Sequence, residues 1–231
     1  MMLDTNIDID LINKRMVSWT ASQRIGWALT NLPKQHIVST SFGAQAAVML
    51  HLMTLHKPDI LVVFIDTGYL FDETIEFSKH LTSTLNLNLK TFRPLLDREK
   101  YEKKFGKVWE NGLEGLELYN QNRKVEPMQR ALNDLHAATW FSGIRKEQSP
   151  TRDQKKFIEL SNNRYKVSPI LDWTSKDIDS YIKDNSLDYN PLWHKGYVSI
   201  GDTHTTKSIY EVESIEQTRF FGLKRECGLH E

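Results

Sequence analysis

The chain has 231 residues and carries 30 Lys and Arg against 30 Asp and Glu, so its formal net charge is zero. This length suffices for one large domain with a real core, and the balanced charge gives no overall field that recruits nucleic acid or an anionic membrane. The single cysteine excludes an internal disulfide and any cluster site that needs several cysteines of one chain, and it fits a reducing compartment.

No targeting or membrane segment is expected. Residues 1–15 are acidic and have no long apolar run, which is unlike a secretory signal. The longest apolar run, residues 60–65, is far too short to cross a bilayer. We therefore expect a cytoplasmic protein without a membrane or nucleic-acid partner, in which locally gathered cations hold any anionic ligand.

Strands and helices alternate in the first part of the chain. A broken apolar stripe predicts helix over residues 7–30. The predicted elements that follow are a strand at 36–40, a helix at 46–55, a strand at 60–65, a helix at 72–81 and a strand at 87–92. This alternation is typical of an α/β protein with a doubly wound, mostly parallel sheet and helices on both faces.

The second part of the chain is less regular. Short helices and loops over the sheet edge are predicted for 97–124, a helix for 128–135, a strand for 137–141 and a helix for 175–183 capped by Thr174. Residues 166–170 predict a short strand at best, because Pro169 cannot donate to a ladder. We expect one domain over residues 1–210 and a charged, mobile C-terminal tail over residues 211–231.

The segment STSFGAQ, residues 39–45, is a candidate phosphate loop. It joins a strand to a helix, the place where open parallel sheets bind ligands. Its small hydroxyl residues and glycine let backbone N–H groups face a phosphate, and the helix N-terminus adds partial positive charge. It lacks the GK[ST] of a Walker loop, and an ordinary turn is the alternative. The candidate residues are Ser39, Ser41, Gly43 and Gln45.

Two other segments offer polar groups. Asp66 and Gly68 follow the next strand at the same sheet edge, where the carboxylate would contact a ribose hydroxyl or a metal, or simply cap a helix. Residues 142–152 form a cationic loop, whose arginine forks suit phosphate or sulfate, although such loops are often only solvated. Its candidates are Arg145, Lys146, Gln148 and Ser149, and Lys124 is a weaker one. The histidines lack metal-ligand spacing, so no metal site is expected.

Cys227 is the candidate nucleophile. Lys224 and Arg225 precede it and His230 follows it, and nearby cations favour the nucleophilic thiolate. An incidental thiol near a terminus is the alternative.

Taken together, these residues resemble the phosphoadenylyl-sulfate (PAPS) reductase family of assimilatory sulfate reduction, an adenosine-nucleotide α-hydrolase-like fold of the PP-loop type. The resemblance extends from about residue 36 to the end. The matching pieces are SFGAQAAV at 41–48, IDTGYLF at 65–71, RKVEPMQRAL at 123–132, TWFSGIRKEQS at 139–149, PLWHKGYVSIGDTHTT at 191–206 and KRECGLHE at 224–231.

The resemblance also indicates a branch of the family. Relatives that use adenylyl sulfate (APS) carry a four-iron cluster on two cysteine pairs. The corresponding positions here are Tyr119, Asn120, Asp202 and Thr205. This chain is therefore similar to the cluster-free branch, which prefers PAPS.

The resemblance implies a two-step reaction without a bound cofactor. Cys227 takes the sulfonate from PAPS, and thioredoxin or glutaredoxin then releases sulfite. Because one chain offers no second thiol, the alternative to this external donor is a homodimer with two juxtaposed tails. The implied roles are substrate binding by the phosphate-loop, Asp66, Gly68 and cationic-loop residues, neutralisation of the leaving phosphate by Lys124 and Arg219, and orientation of the tail by Lys224, Arg225 and His230.

Other functions stay open at this point. An ATP pyrophosphatase of the same fold would need magnesium and would not need Cys227. An APS-specific reductase without a cluster is a second alternative, and a non-catalytic nucleotide-binding module is a third.

Overall fold

The computed structural model of the chain describes residues 7–229 and has a six-stranded sheet at its centre. The strands are β1 (His36–Thr40), β2 (Leu61–Ile65), β3 (Asn88–Phe92), β4 (Thr139–Phe141), β5 (Ile158–Ser161) and β6 (Arg164–Val167). The helices are α1 (Ile9–Met16), α2 (Ala21–Asn31), α3 (Ala46–His56), α4 (Asp72–Thr84), α5 (Arg98–Phe105), α6 (Gly112–Asn120), α7 (Glu126–Asp134) and α8 (Ser175–Asp184).

The strand order is β3-β2-β1-β4-β6-β5, and every neighbouring pair is parallel except β6 and β5. The chain builds outward from β1 through β2 to β3 and then crosses back to β4 on the other side of β1. The order therefore reverses between β1 and β4. In open parallel sheets such a reversal leaves a crevice beyond the carboxyl ends of the two strands, where ligands bind.

Apolar side chains cover both faces of the sheet. Successive side chains of a strand point to opposite faces, so neighbouring residues of one strand belong to different cores. Val38 and Val62 belong to the larger core, which includes residues of α1, α2, α3, α4 and α8. Ile37 and Val63 belong to a smaller core with residues of α7. The predicted doubly wound α/β fold is confirmed.

A hairpin at the far edge of the sheet was not predicted. Asn162 and Asn163 connect β5 to β6 in a two-residue turn, and both have a positive φ, 50° and 56°. Such turns match the twist of antiparallel strands, and Asn is among the residues that tolerate them. The strand expected at 166–170 is instead Arg164–Val167, which ends before Pro169 and pairs with β4 on its other side.

The predicted helix over residues 7–30 is two helices. Thr20 ends the break between them and begins α2 with a capping box, in which its side chain accepts from the Gln23 N–H and Gln23 accepts from the Thr20 N–H. In the described part of the chain, no helix has both the length and the apolar character needed to cross a membrane.

The segment from 211 to 229 is packed against the domain. Thr218 and Phe220 have no exposed surface, and Arg219 pairs with Thr206 in an antiparallel bridge. Leu229 packs on the α7 core, whereas Cys227 packs on a separate cluster that includes Tyr69, Tyr101, Trp109 and Tyr119. The charged composition concealed the apolar contacts that order this segment in the described conformation.

Candidate active site

The candidate phosphate loop lies where β1 meets α3. Its chain turns at Phe42, which has a φ of 49° and is fully buried. Ser41 is exposed on the loop, whereas the Gln45 side chain accepts a hydrogen bond from Arg145 (2.8 Å). The Ser39 hydroxyl faces the α7 side of the sheet and accepts from the Trp140 indole N–H (2.7 Å). The four predicted residues thus lie at one strand end, but the side chains of Ser39, Ser41 and Gln45 point in different directions.

Asp66 and Gly68 occupy the same sheet edge after β2. The Asp66 carboxylate accepts from the Gly68 N–H (3.0 Å) and from Arg93 Nε (2.9 Å), so it orders its own turn. Gly68 has a φ of 78°, and a Cβ there would lie 3.0 Å from the Arg123 guanidinium. Arg123 is itself buried and donates to the carbonyls of Thr67 and Leu96.

A buried ion pair lies beneath this edge. Lys124 Nζ is 2.6 Å from Asp202 Oδ2, and the side chains are 9% and 0% exposed. The Thr67 hydroxyl donates to the other carboxylate oxygen of Asp202. Burial raises the pKa of Asp202, but the ammonium of Lys124 and the hydrogen bond from Thr67 outweigh it and hold that pKa below its usual range. This contact fixes the position of Lys124.

The Phe220 ring is close to two cations that the sequence had singled out. Its ring centroid is 5.1 Å from Lys124 Nζ and 4.7 Å from the Arg219 guanidinium carbon. Arg219 approaches the backbone so closely at Gly201 that a Cβ there would lie 2.3 Å from the guanidinium. Within the described residues, Arg219 Nε is buried and has no hydrogen-bond partner. Lys124 and Arg219 thus lie against the same aromatic ring, and their role in neutralising a leaving phosphate stays a prediction.

The predicted cationic loop divides into buried and exposed members. Arg145 is buried, and it donates to Gln45, to Glu147 (3.0 Å) and to the Trp173 carbonyl (3.3 Å). Burial lowers the pKa of Arg145, with Glu147 opposing that change. Lys146 and Gln148 are exposed, whereas Ser149 is buried. The loop thus contacts the phosphate loop through Arg145, and its four candidate side chains are not all exposed to solvent.

Cys227 is half-buried at the junction of the tail with the aromatic cluster. Among the described cations, Arg219 and Lys166 each interact electrostatically with the Cys227 thiolate. Arg225 binds the carbonyl of Ile215 (3.0 Å) and also reaches that of Gln148 (3.3 Å). Lys224 is half-buried in the same segment. His230 lies outside the described residues.

Lys166 is a site residue that the sequence did not reveal. It lies on β6 and is 8% exposed, with Nζ 4.8 Å from the Trp140 ring centroid and 3.4 Å from the Leu229 carbonyl oxygen. Burial lowers its pKa to about 8. In the sequence, the signal for Lys166 was limited to a lysine between Tyr165 and Val167 in a segment expected to be a strand.

The positions that hold cluster cysteines in APS-using relatives lie together in the structure. Tyr119 and Asn120 end α6, Asp202 and Thr205 bound a short turn, and all four are buried. The His204 ring packs beside them, with its centroid 4.7 Å from that of Tyr119 and 4.0 Å from that of Trp109. Within residues 7–229, no group of three or more His, Cys, Asp and Glu is arranged to hold a metal ion.

Comparison with known families agrees with this geometry. The family model of the phosphoadenosine phosphosulfate reductase domain matches residues 35–208. The chain belongs to this family. It is thus an oxidoreductase that acts on sulfur groups in sulfate assimilation, and the predicted family and enzyme class are confirmed.

Relatives match over nearly the full chain. A protein of Alteromonas mediterranea named phosphoadenosine 5'-phosphosulfate reductase is 56% identical over 220 residues, 95% of this chain and 89% of that protein. A protein of the same name from Vibrio cholerae is 53% identical over 220 residues, 95% of this chain and 87% of its own.

Solved structures agree with the fold. The phosphate complex of phosphoadenylyl-sulfate (PAPS) reductase from Candida auris superposes with a TM-score of 0.76 at 30% identity, covering 88% of this chain and 98% of that one. FMN adenylyltransferase from Candida glabrata, in complex with FMN and an ATP analogue, gives a TM-score of 0.59 at 19% identity over 90% of this chain and 70% of its own. The second likeness concerns the fold alone.

Proposed function

We propose that the chain reduces 3'-phosphoadenylyl sulfate to sulfite and adenosine 3',5'-bisphosphate, with Cys227 as the nucleophile. The observation that carries the proposal is the position of Cys227, half-buried on the aromatic cluster that includes Phe220, whose ring centroid is 5.1 Å from Lys124 Nζ and 4.7 Å from the Arg219 guanidinium carbon. Lys124 and Arg219 both lie within about 5 Å of the Phe220 ring, so two cations are available near the thiol for a sulfated nucleotide. Family membership supports the same assignment.

In the first step, the Cys227 thiolate attacks the sulfur of the sulfate group. A new S–S bond forms, the bond from sulfur to the bridging phosphate oxygen breaks, and adenosine 3',5'-bisphosphate leaves with the electron pair. The product on the enzyme is an S-sulfonated cysteine. Lys124 and Arg219 neutralise the charge that develops on the leaving phosphate in this proposal.

In the second step, a dithiol protein of the thioredoxin or glutaredoxin class supplies two electrons. One of its thiolates attacks the Cys227 sulfur, and sulfite leaves with the electron pair of the S–S bond. The second thiolate resolves the mixed disulfide and returns Cys227 as a thiolate, while the dithiol is oxidised to a disulfide and its two protons go to solvent. The substrate, the intermediate and this donor are parts of the proposal.

Intact-mass measurement on the purified, reduced protein tests the first step. The protein is mixed with PAPS, and separately with APS, in the absence of any reductant. We expect one sulfonate adduct from PAPS, absent in Cys227→Ser. An adduct from APS alone would overturn the substrate assignment. No adduct from either nucleotide, together with magnesium-dependent ATP hydrolysis, would favour an ATP pyrophosphatase of the same fold.

A second measurement tests the electron donor. Isolated S-sulfonated protein is mixed with reduced thioredoxin, reduced glutaredoxin or a second portion of unmodified protein, and sulfite is measured. We expect release with a dithiol protein only. Release by unmodified protein at a rate that rises with its concentration would favour two juxtaposed tails in a homodimer.

A further inference from the structure

A buried carboxylate lies directly beside the nucleophile. Glu226 precedes Cys227 in the chain and is 6% exposed. Its carboxylate accepts from both Nε (2.8 Å) and Nη2 (2.9 Å) of Arg152 and from the Thr151 hydroxyl (3.0 Å). Arg152 and Thr151 belong to the cationic loop that follows β4, so the loop already holds an anion supplied by the tail.

The charge state of Glu226 agrees with this geometry. Burial raises the pKa of Glu226, but Arg152 and the hydroxyls of Thr151 and Ser149 outweigh burial and lower it. The carboxylate is therefore ionised when buried. Paired, two-pronged contacts of this kind fix the relative position of two segments more tightly than a single bond does.

The tail is attached on both sides of Cys227. Before it, Arg225 Nη2 reaches the Gln148 carbonyl (3.3 Å), and after it, Lys166 Nζ reaches the Leu229 carbonyl (3.4 Å). Gly228 has a φ of 83°, and a Cβ there would lie 3.0 Å from Val125. Among these attachments, the Glu226–Arg152 pair has the shortest contacts, and its carboxylate is buried.

We infer that Glu226, held by Arg152, is a positioning residue that sets the location of the Cys227 thiol and limits its exposure to solvent. Neighbouring Cα atoms are about 3.8 Å apart, so fixing the Glu226 side chain leaves little freedom for Cys227. Nucleophilic attack requires reacting atoms about 3–3.5 Å apart, and a displacement of 1 Å is costly. The catalytic part of this inference rests on the proposed function, whereas the exposure of the thiol does not.

The first test uses thiol exposure in the absence of substrate. The protein and its variants react with iodoacetamide, and the alkylation of Cys227 is followed by intact mass. We expect Glu226→Gln to raise the alkylation rate by about 10-fold, because the amide cannot hold the charged pair. The control Glu213→Gln, at an exposed position of the same segment, should leave the rate unchanged. An unchanged rate in Glu226→Gln would overturn the inference.

The second test separates positioning from substrate binding. At saturating PAPS, S-sulfonate formation in Glu226→Gln should fall by about 10-fold or more, and Glu226→Asp should recover part of the loss. The affinity for PAPS, measured in the Cys227→Ser background, should stay within about twofold of that of Cys227→Ser alone. Tighter binding of PAPS on removal of the carboxylate would overturn the inference, since Glu226 would then compete with the substrate.

The third test is a double-mutant cycle of alkylation rates. Arg152→Gln, Glu226→Gln and the double variant should each show about the same increase, because either change breaks one shared contact. Additive effects would contradict the pairing. Circular dichroism and thermal melting establish that each variant is folded. If the wild-type protein forms no S-sulfonate, the proposed function fails, and the alkylation rates still decide the role of Glu226.

Discussion

The two halves of the candidate site are built in different ways. The phosphate loop and residues 66–68 are placed by the ends of β1 and β2, which are paired to each other along their length. The tail half consists of residues 211–229 and the residues they contact, and it is placed by two ion pairs between side chains far apart in sequence, Lys124–Asp202 and Arg152–Glu226. A region that backbone pairing holds in place should keep its structure when one side chain is removed. A region that a few buried charges hold in place should not.

The largest effect is expected at the nucleophile itself. Cys227→Ser should lower sulfite formation from PAPS by at least about 1,000-fold, because a hydroxyl is not ionised at neutral pH. Nucleotide affinity, measured by calorimetry, should change little, because the strand-end half is intact. Sustained sulfite formation by the variant would remove Cys227 from the mechanism.

Breaking the ion pair beneath the site should be the next largest effect. Asp202→Asn leaves the Lys124 ammonium buried without a counter-charge, and we expect a loss of about 3–5 kcal/mol in the free energy of unfolding, measured with urea. Asp188→Asn is the matched control, since Asp188 pairs with His80 at the surface and should cost less than about 1 kcal/mol. Equal losses in both variants would show that burial of the Lys124–Asp202 pair does not set its contribution to stability.

Lys166 should make stability depend on pH. Burial lowers its pKa from 10.5 to about 8, so below pH 8 the folded chain carries a buried charge that the unfolded chain keeps in water. This cost is fully present at neutral pH and disappears as pH rises from 8 to 10.5.

Replacing this lysine tests the sign directly. Lys166→Met should increase the free energy of unfolding at pH 7 by up to about 3 kcal/mol, and the gain should shrink at higher pH. Lys176→Met, at an exposed position, should shift it by no more than about 0.5 kcal/mol at any pH. A gain from Lys166→Met that grows with pH would show that the charge stabilises the fold.

The smallest effect is expected from one methyl group. A Cβ at Gly201 would overlap the Arg219 guanidinium at 2.3 Å, so Gly201→Ala should displace Arg219 and weaken PAPS binding by about 10-fold. Gly26→Ala in α2 is the control, because its Cβ would meet only His56 at 3.9 Å and should stabilise the helix by about 0.5–1 kcal/mol. Unchanged affinity in Gly201→Ala would remove Arg219 from the binding site.

Sequence patterns reached the strand-end half of the site and missed much of the tail half. An apolar run and a hydroxyl-rich loop predict β2 and the segment after β1 from neighbouring residues alone. The Glu226–Arg152 contact joins residues 74 positions apart, and no local pattern indicates which arginine a glutamate will meet. The hairpin at Asn162 and Asn163 was missed for another reason, since its signal was present in the turn residues and was not used.

Apolar side chains of the tail cover two separate hydrophobic clusters. Leu229 covers the core that contains Trp140, whereas Cys227 and Phe220 cover the cluster of Tyr69, Trp109 and Tyr119. If the tail moved away to admit the proposed reducing protein, the apolar surfaces of both clusters would be exposed to water at once. In the proposed reaction, a dithiol protein that supplies its own apolar contacts would offset that cost, and electron delivery would then coincide with the opening of the tail.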